Sequence, residues 1–168
     1  MIVRSSARYG RASVNRLAGA TAPGIDGARA LVESFYYAFN HRDMGVFRTL
    51  WADDALVQLN NPLGGMLRGH AAVEDLYRRV FDGPARVWVE FDDIVEYQTG
   101  EMVTFAGRET GVFTRGDVAV PLAIRTTRVI QWLGAAHGWR QVHHHGSIDD
   151  PGALDRYQRA VHGIDAAN

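Results

Sequence analysis

From Arg86 to Ser147 the chain alternates apolar and polar side chains with a period of two, and this run constrains the fold more than any other feature. Val87, Val89 and Phe91 alternate with Arg86, Trp88, Glu90 and Asp92; Val103, Phe105 and Phe113 alternate with Thr104, Arg108, Thr110 and Thr114. Arg115-Gly116-Asp117 reads as a hairpin turn, Val118 to Leu133 as one long strand, Gly134 to Gly138 as a turn, and Trp139 to Ile148 as the last strand. Strands joined in succession by short turns form an antiparallel meander, and strands this long must twist and coil.

Helical periodicity precedes the meander. Asp26 stands where it can cap a helix bearing Val32, Phe35, Tyr36 and Phe39 on one face, and Asp43 where it can cap a short helix bearing Met44, Phe47, Leu50 and Trp51. Ala55 to Asn60 reads as a short strand, Asn61-Pro62 and Gly64-Gly65 as a loop, and Gly69 to Gly83 as a bounded third helix. Asp150-Pro151 opens a last helix with an apolar stripe of Leu154, Tyr157 and Val161. Helices followed by an antiparallel sheet give an α+β fold. Its curved sheet wraps round the long first helix as a cone, and the open mouth is a natural ligand site.

The 168 residues suit one domain, and a net charge of -1 gives no global attraction to nucleic acid or to acidic membranes. The absence of cysteine excludes disulfides, thiol nucleophiles and cysteine metal sites. No apolar run approaches a membrane span, no cofactor motif is present, and the expected compartment is the cytoplasm. Residues 1–24 carry Arg4, Arg8, Arg11 and Arg16 and no acid. They read as a disordered arm or an early start codon, ahead of a domain over 25–148 and a helix and tail over 149–168.

The stretch VESFYYAFNHRDMGVFRTLWADDA, from Val32 to Ala55, resembles the opening of the nuclear transport factor 2-like superfamily. The endings TTRVIQW and GWRQVHHHGS resemble the last two strands of SnoaL-like proteins and of the calmodulin-dependent kinase II association domain. The resemblance implies a cystatin-like cone, a homodimer, and either a cofactor-independent isomerase, cyclase or dehydratase or a non-catalytic binding or assembly domain. Steroid isomerases of the superfamily use a helix-borne tyrosine as oxyanion donor, and Phe35 stands at the matching place. Their aspartate base corresponds to the Leu59-Asn60-Asn61 neighbourhood, and an amide cannot accept a proton at neutral pH. Of the arginines that hold a carboxylate in the kinase association domain, Arg128 matches one, Arg108 lies near a second, and Gly146 stands at the third.

Arg128 shares a strand face with Val120, Leu122, Ile124, Ile130 and Trp132, where a lone arginine needs a partner. That partner is a structural carboxylate such as Glu109, or an anionic ligand. A bulge at Pro121 would shift the register upstream. In the triple histidine, alternation turns His144 towards the pocket with Val142, and His143 and His145 outwards with Trp139 and Gln141. His144 then reads as a general acid or base, or as a buried neutral histidine, and a metal site would need a ligand the sequence does not place. Expected in catalysis are His144, Arg128 and Asn60. Expected against a small apolar or carboxylate-bearing ligand are Tyr36, Phe39, Trp51, Arg108, Ile130 and Trp132.

Overall fold

The computed structural model describes residues 1–164. Its elements, in chain order, are β1 (Ile2–Arg4), α1 (Ile25–His41), α2 (Met44–Phe47), β2 (Gln58–Asn60), β3 (Met66–Arg68), α3 (His70–Asp82), β4 (Arg86–Thr99), β5 (Met102–Arg115), β6 (Val118–Trp132), β7 (Trp139–Ser147) and α4 (Pro151–His162). The fold is α+β. One seven-stranded sheet runs β1-β4-β5-β6-β7-β2-β3, antiparallel throughout except where β2 lies parallel to β7.

The long strands behave as their alternation requires. Along β6, Val120, Leu122, Ile124, Thr126, Arg128 and Ile130 are buried on the inner face, while Ala119, Pro121, Ala123 and Arg125 are exposed. Pro121 causes no bulge: it pairs in register with Val112, and the β7 ladder reaches only to Arg125, so no partner on that side asks for its missing N–H. The bulges fall elsewhere. One lies in β4 between Asp92 and Val95, with Asp93 at φ 48°. The other lies opposite the Val129–Ile130 step and puts Trp139, Gln141 and His144 on the same inner side of β7. The expectation that Trp139 and Gln141 face outwards is therefore corrected. Alternation is counted without the extra residue, so it inverts upstream of Val142.

Helix α1 fills the inner face. Leu31, Val32, Phe35 and Tyr36 are all buried, and Tyr36 stacks on Phe91 at 5.5 Å. Gly27 lets the helix approach the sheet, since a Cβ there would stand 2.8 Å from the Trp139 ring. The helix begins at Ile25 behind Gly24, and Asp26 sits inside the first turn paired with Arg29 instead of capping it. Asp43 and Asp150 do cap α2 and α4, accepting from the N–H groups of Val46 and Ala153. Helix α2 ends at Phe47, and β2 is shorter than expected. The expected loop after Asn60 is instead a hairpin that adds β3.

The first 24 residues are not a loose arm. β1 pairs with β4 from Ile2↔Tyr97 to Arg4↔Val95, and Tyr9 bridges Phe91. Trp139 Nε1 donates to the Ala22 carbonyl at 3.1 Å. The physical reason is an edge: without β1, the far half of β4 would present unpaired backbone groups. Burying Tyr9, at 6% exposure, adds an apolar anchor. The expected tail beyond α4 falls largely on 165–168, outside the described residues.

Candidate active site

The inner faces of β4–β7, helices α1, α3 and α4, and the loop after β2 enclose a cavity of about 190 Å³. Most of its wall is apolar, from residues such as Phe35, Phe39, Leu76, Val89, Leu122 and Ile124. Polar side chains enter at few points: Arg128 and His144 from neighbouring strands, Glu109 from β5, Tyr77 from α3, Tyr157 from α4 and Asn61 from the loop.

Arg128 is 1% exposed and its charge is fully engaged by the protein. Nη2 donates to Glu109 Oε1 at 2.9 Å, Nη1 to Gln141 Oε1 at 2.9 Å, and Nε to the Tyr36 hydroxyl at 3.0 Å. Its guanidinium carbon lies 3.6 Å from the centre of the Phe35 ring, a desolvated cation–π contact of roughly 2 kcal/mol. Tyr36 in turn donates to Glu109 Oε1 at 2.5 Å. Burial holds the Tyr36 phenol well above the ordinary tyrosine range, so it stays a donor. Of the two readings open for Arg128, the structural carboxylate is the one realised.

Glu109 is 4% exposed, and both of these hydrogen bonds fall on Oε1. No described group donates to Oε2, so the carboxylate that neutralises Arg128 keeps one oxygen for whatever enters the cavity. His144 is 5% exposed and lines the same cavity. Neither of its ring nitrogens has a hydrogen-bond partner in the protein. Burial, followed by the nearby Arg128 charge, holds its pKa well below the usual histidine value. It is therefore a neutral imidazole at neutral pH, with one N–H to give and one lone pair to accept.

The expected residues divide. His144, Arg128 and Phe39 line the cavity, and Tyr36 stands behind Arg128. Asn60 is a correction: it lies on the outer side of β2, where its amide oxygen accepts from Gln58 Nε2 at 3.0 Å, because the neighbouring Leu59 takes the inner position. Arg108 is a second correction. It is exposed on the outer face of β5, in register with Asp92 and Arg125, since alternation gives the inner place to Glu109. Trp51 and Ile130 are buried in the core beyond the cavity wall, and Trp132 packs on Trp139 at 5.7 Å. Asn61 is a turn residue accepting from Leu63 N–H at 2.9 Å, and it also reaches the cavity wall. Among the described residues no cluster of three or more His, Cys, Asp or Glu is placed to hold a metal ion.

Four polar members were not assigned to the site, although Glu109 was named as a partner for Arg128. Glu109 has the same parity as Val103, Phe105 and Phe113, which is the signal for it. Tyr157 was read as an apolar stripe position and Tyr77 stands on the buried face of α3; at both a hydroxyl is the clue. Gln141 was hidden by the bulge.

The SnoaL-like domain family model matches residues 28–151. The chain is a SnoaL-like protein. It shares the nuclear transport factor 2-like fold with many solved structures. One from Thiobacillus denitrificans, assigned as a calcium/calmodulin-dependent protein kinase type II association domain, is 33% identical, with a TM-score of 0.58, covering 73% of this chain and 94% of that one. A Streptomyces avermitilis protein assigned as a dehydratase of the NTF2-like family is 21% identical, with a TM-score of 0.61 over 71% of this chain and 91% of that one. A ketosteroid isomerase-like protein from Erwinia carotovora is 18% identical, with a TM-score of 0.60 over 73% and 94%. No curated protein matches. The SnoaL-like fold accounts for the cone and its cavity, and the fold alone does not assign a function to the Arg128–Glu109–Tyr36 cluster inside it.

Proposed function

We propose that this SnoaL-like protein binds a small molecule in the cavity and moves a proton on it without a cofactor, as an isomerase or dehydratase does. The carrying observation is His144, a neutral imidazole with both nitrogens unpartnered on the wall of a cavity that also receives the free Oε2 of Glu109. In this reading Glu109 Oε2 takes the proton from carbon. The His144 N–H donates to the oxygen on which charge develops, as preorganised donors do in a water-poor site. Tyr36 and Gln141 keep Arg128 in place, and Arg128 holds Glu109 in position through its hydrogen bond to Oε1. The role expected for Arg128 as a direct ligand contact gives way to this positioning role.

The size of the cavity bounds the substrate. An apolar cavity of about 150 Å³ accepts benzene, whereas sites for drug-sized ligands run from about 300 Å³ upward. The substrate is thus about one ring with a short substituent.

The test is exchange of deuterium from heavy water into cyclohexenone, followed by NMR. The protein is expected to accelerate exchange over buffer, and His144→Ala to lower that acceleration by about a hundredfold or more while the protein stays folded. Equal exchange with and without the imidazole would overturn the assignment.

A second reading, a non-catalytic ligand-binding or assembly domain, is favoured by the complete engagement of Arg128 within the protein. Under it, cyclohexenone would bind without exchange.

A further inference from the structure

Helix α4 lies beyond the family-matched segment except for its first residue, yet Tyr157 and Val161 form one wall of the cavity. Few polar contacts hold it there. Gln158 Nε2 donates to the Leu63 carbonyl at 2.8 Å, and Arg115 Nη1 donates to the Val161 carbonyl at 2.9 Å. The Tyr157 ring meets Phe113 edge-on at 5.4 Å. Leu63 belongs to the tight turn after β2, where Gly64 and Gly65 have φ of 105° and 86°, so the helix is latched to the same loop that closes the cavity mouth.

Tyr157 is buried at 8% exposure, and its hydroxyl hydrogen-bonds to no described protein atom. The hydroxyl oxygen is not among the fully buried unpartnered atoms of the described residues, so it keeps accessible surface on a ring that lines the cavity, and packing against Phe113 leaves it free to bond a ligand. Burial and then the Glu109 charge push this phenol up to about 12, which keeps it a proton donor across the physiological range. The charges facing the cavity, Arg128 and Glu109, cancel each other at 2.9 Å. The cavity therefore offers no net charge to an anion, and a carboxylate-bearing ligand would compete with Glu109 for Arg128.

We propose that Tyr157 is a specificity-determining residue: α4 delivers its hydroxyl to a neutral one-ring ligand that carries a carbonyl or hydroxyl oxygen. This rests on reading the cavity as a small-molecule site, but not on any reaction there.

The test is calorimetric binding to the full chain with two probes of equal size, cyclohexenone and toluene. The unaltered protein is expected to bind both. Tyr157→Phe, which keeps the ring and its packing, is expected to weaken cyclohexenone about tenfold and to leave toluene unchanged or slightly tighter. Equal weakening of both probes would reduce Tyr157 to a packing residue and overturn the proposal. So would undiminished cyclohexenone binding, or no binding of either probe to the unaltered protein. Binding that responds to Tyr157→Phe without any deuterium exchange would leave this inference standing and remove only the proton-transfer reading.

Discussion

At the scale of single residues, the site is a contrast between two buried groups that the protein treats differently. Arg128 is given every partner it needs, and His144 is given none. The inward direction of both was legible from alternation, because an even-numbered position on β6 and position 144 on β7 fall among apolar neighbours. The partners were less legible. Glu109 was legible as the carboxylate Arg128 would need, but Gln141 was not, since the bulge at Val142 leaves no mark in the residue pattern. The neutral state of His144 has a consequence for stability. A histidine whose folded pKa is depressed stabilises the fold above its unfolded pKa of about 6.5 and loses that contribution as pH falls towards the folded value. The unfolding free energy should fall on acidification below about pH 6.5 by up to about 1.4 kcal/mol per pH unit from this group. His144→Gln should remove most of that slope, with a smaller part remaining from His143, whose pKa burial also lowers. Urea titrations at several pH values measure it, and identical slopes in the two proteins would place His144 in a solvated environment.

At the scale of elements, periodicity identified the long strands, and local chemistry identified the helix ends. What it could not supply was pairing between distant segments. β1 has only three residues, and its place beside β4 is a tertiary event that an arginine-rich leader does not announce. The same holds for β2, which joins β7 in parallel across the whole of residues 61–138. The leader's neighbourhood is fastened by a second ion pair, half-buried, whose carboxylate lies inside and whose arginine reaches the surface. Glu96 is 0% exposed and accepts from Arg29 through both oxygens, at 3.0 Å and 2.9 Å. Arg29→Met would leave that carboxylate with Gln98 Nε2, at 3.1 Å, as its remaining side-chain donor, and a loss of about 2 kcal/mol is expected in urea unfolding. Much of it should return when Glu96→Gln removes the charge as well. A single substitution that costs less than about 0.5 kcal/mol would show that water reaches Glu96 and that the pair is a surface one.

At the scale of the whole molecule, the helices cover the inner face of the sheet and leave its outer face open, where Ala119, Pro121 and Ala123 form an uncharged patch beside Arg108 and Arg125. A homodimer through the sheet, as the family resemblance implies, would cover that patch; sedimentation at micromolar concentration should give twice the chain mass, and a monomer would count against it. No helix among the described residues is long and apolar enough to cross a membrane. The cone was the most legible property of the sequence, because every long strand argued for it independently. The cavity's contents were the least legible, since they depend on which few polar side chains survive on an otherwise apolar wall. The measurement that tests the central claim most directly is nitrogen NMR of the His144 side chain, titrated with acid and then with cyclohexenone. The account predicts a single neutral tautomer from about pH 8 down to about pH 6, with ring-nitrogen shifts that move when cyclohexenone is added. A ring that titrates near the ordinary value of about 6.5, or that does not respond to cyclohexenone, would contradict it.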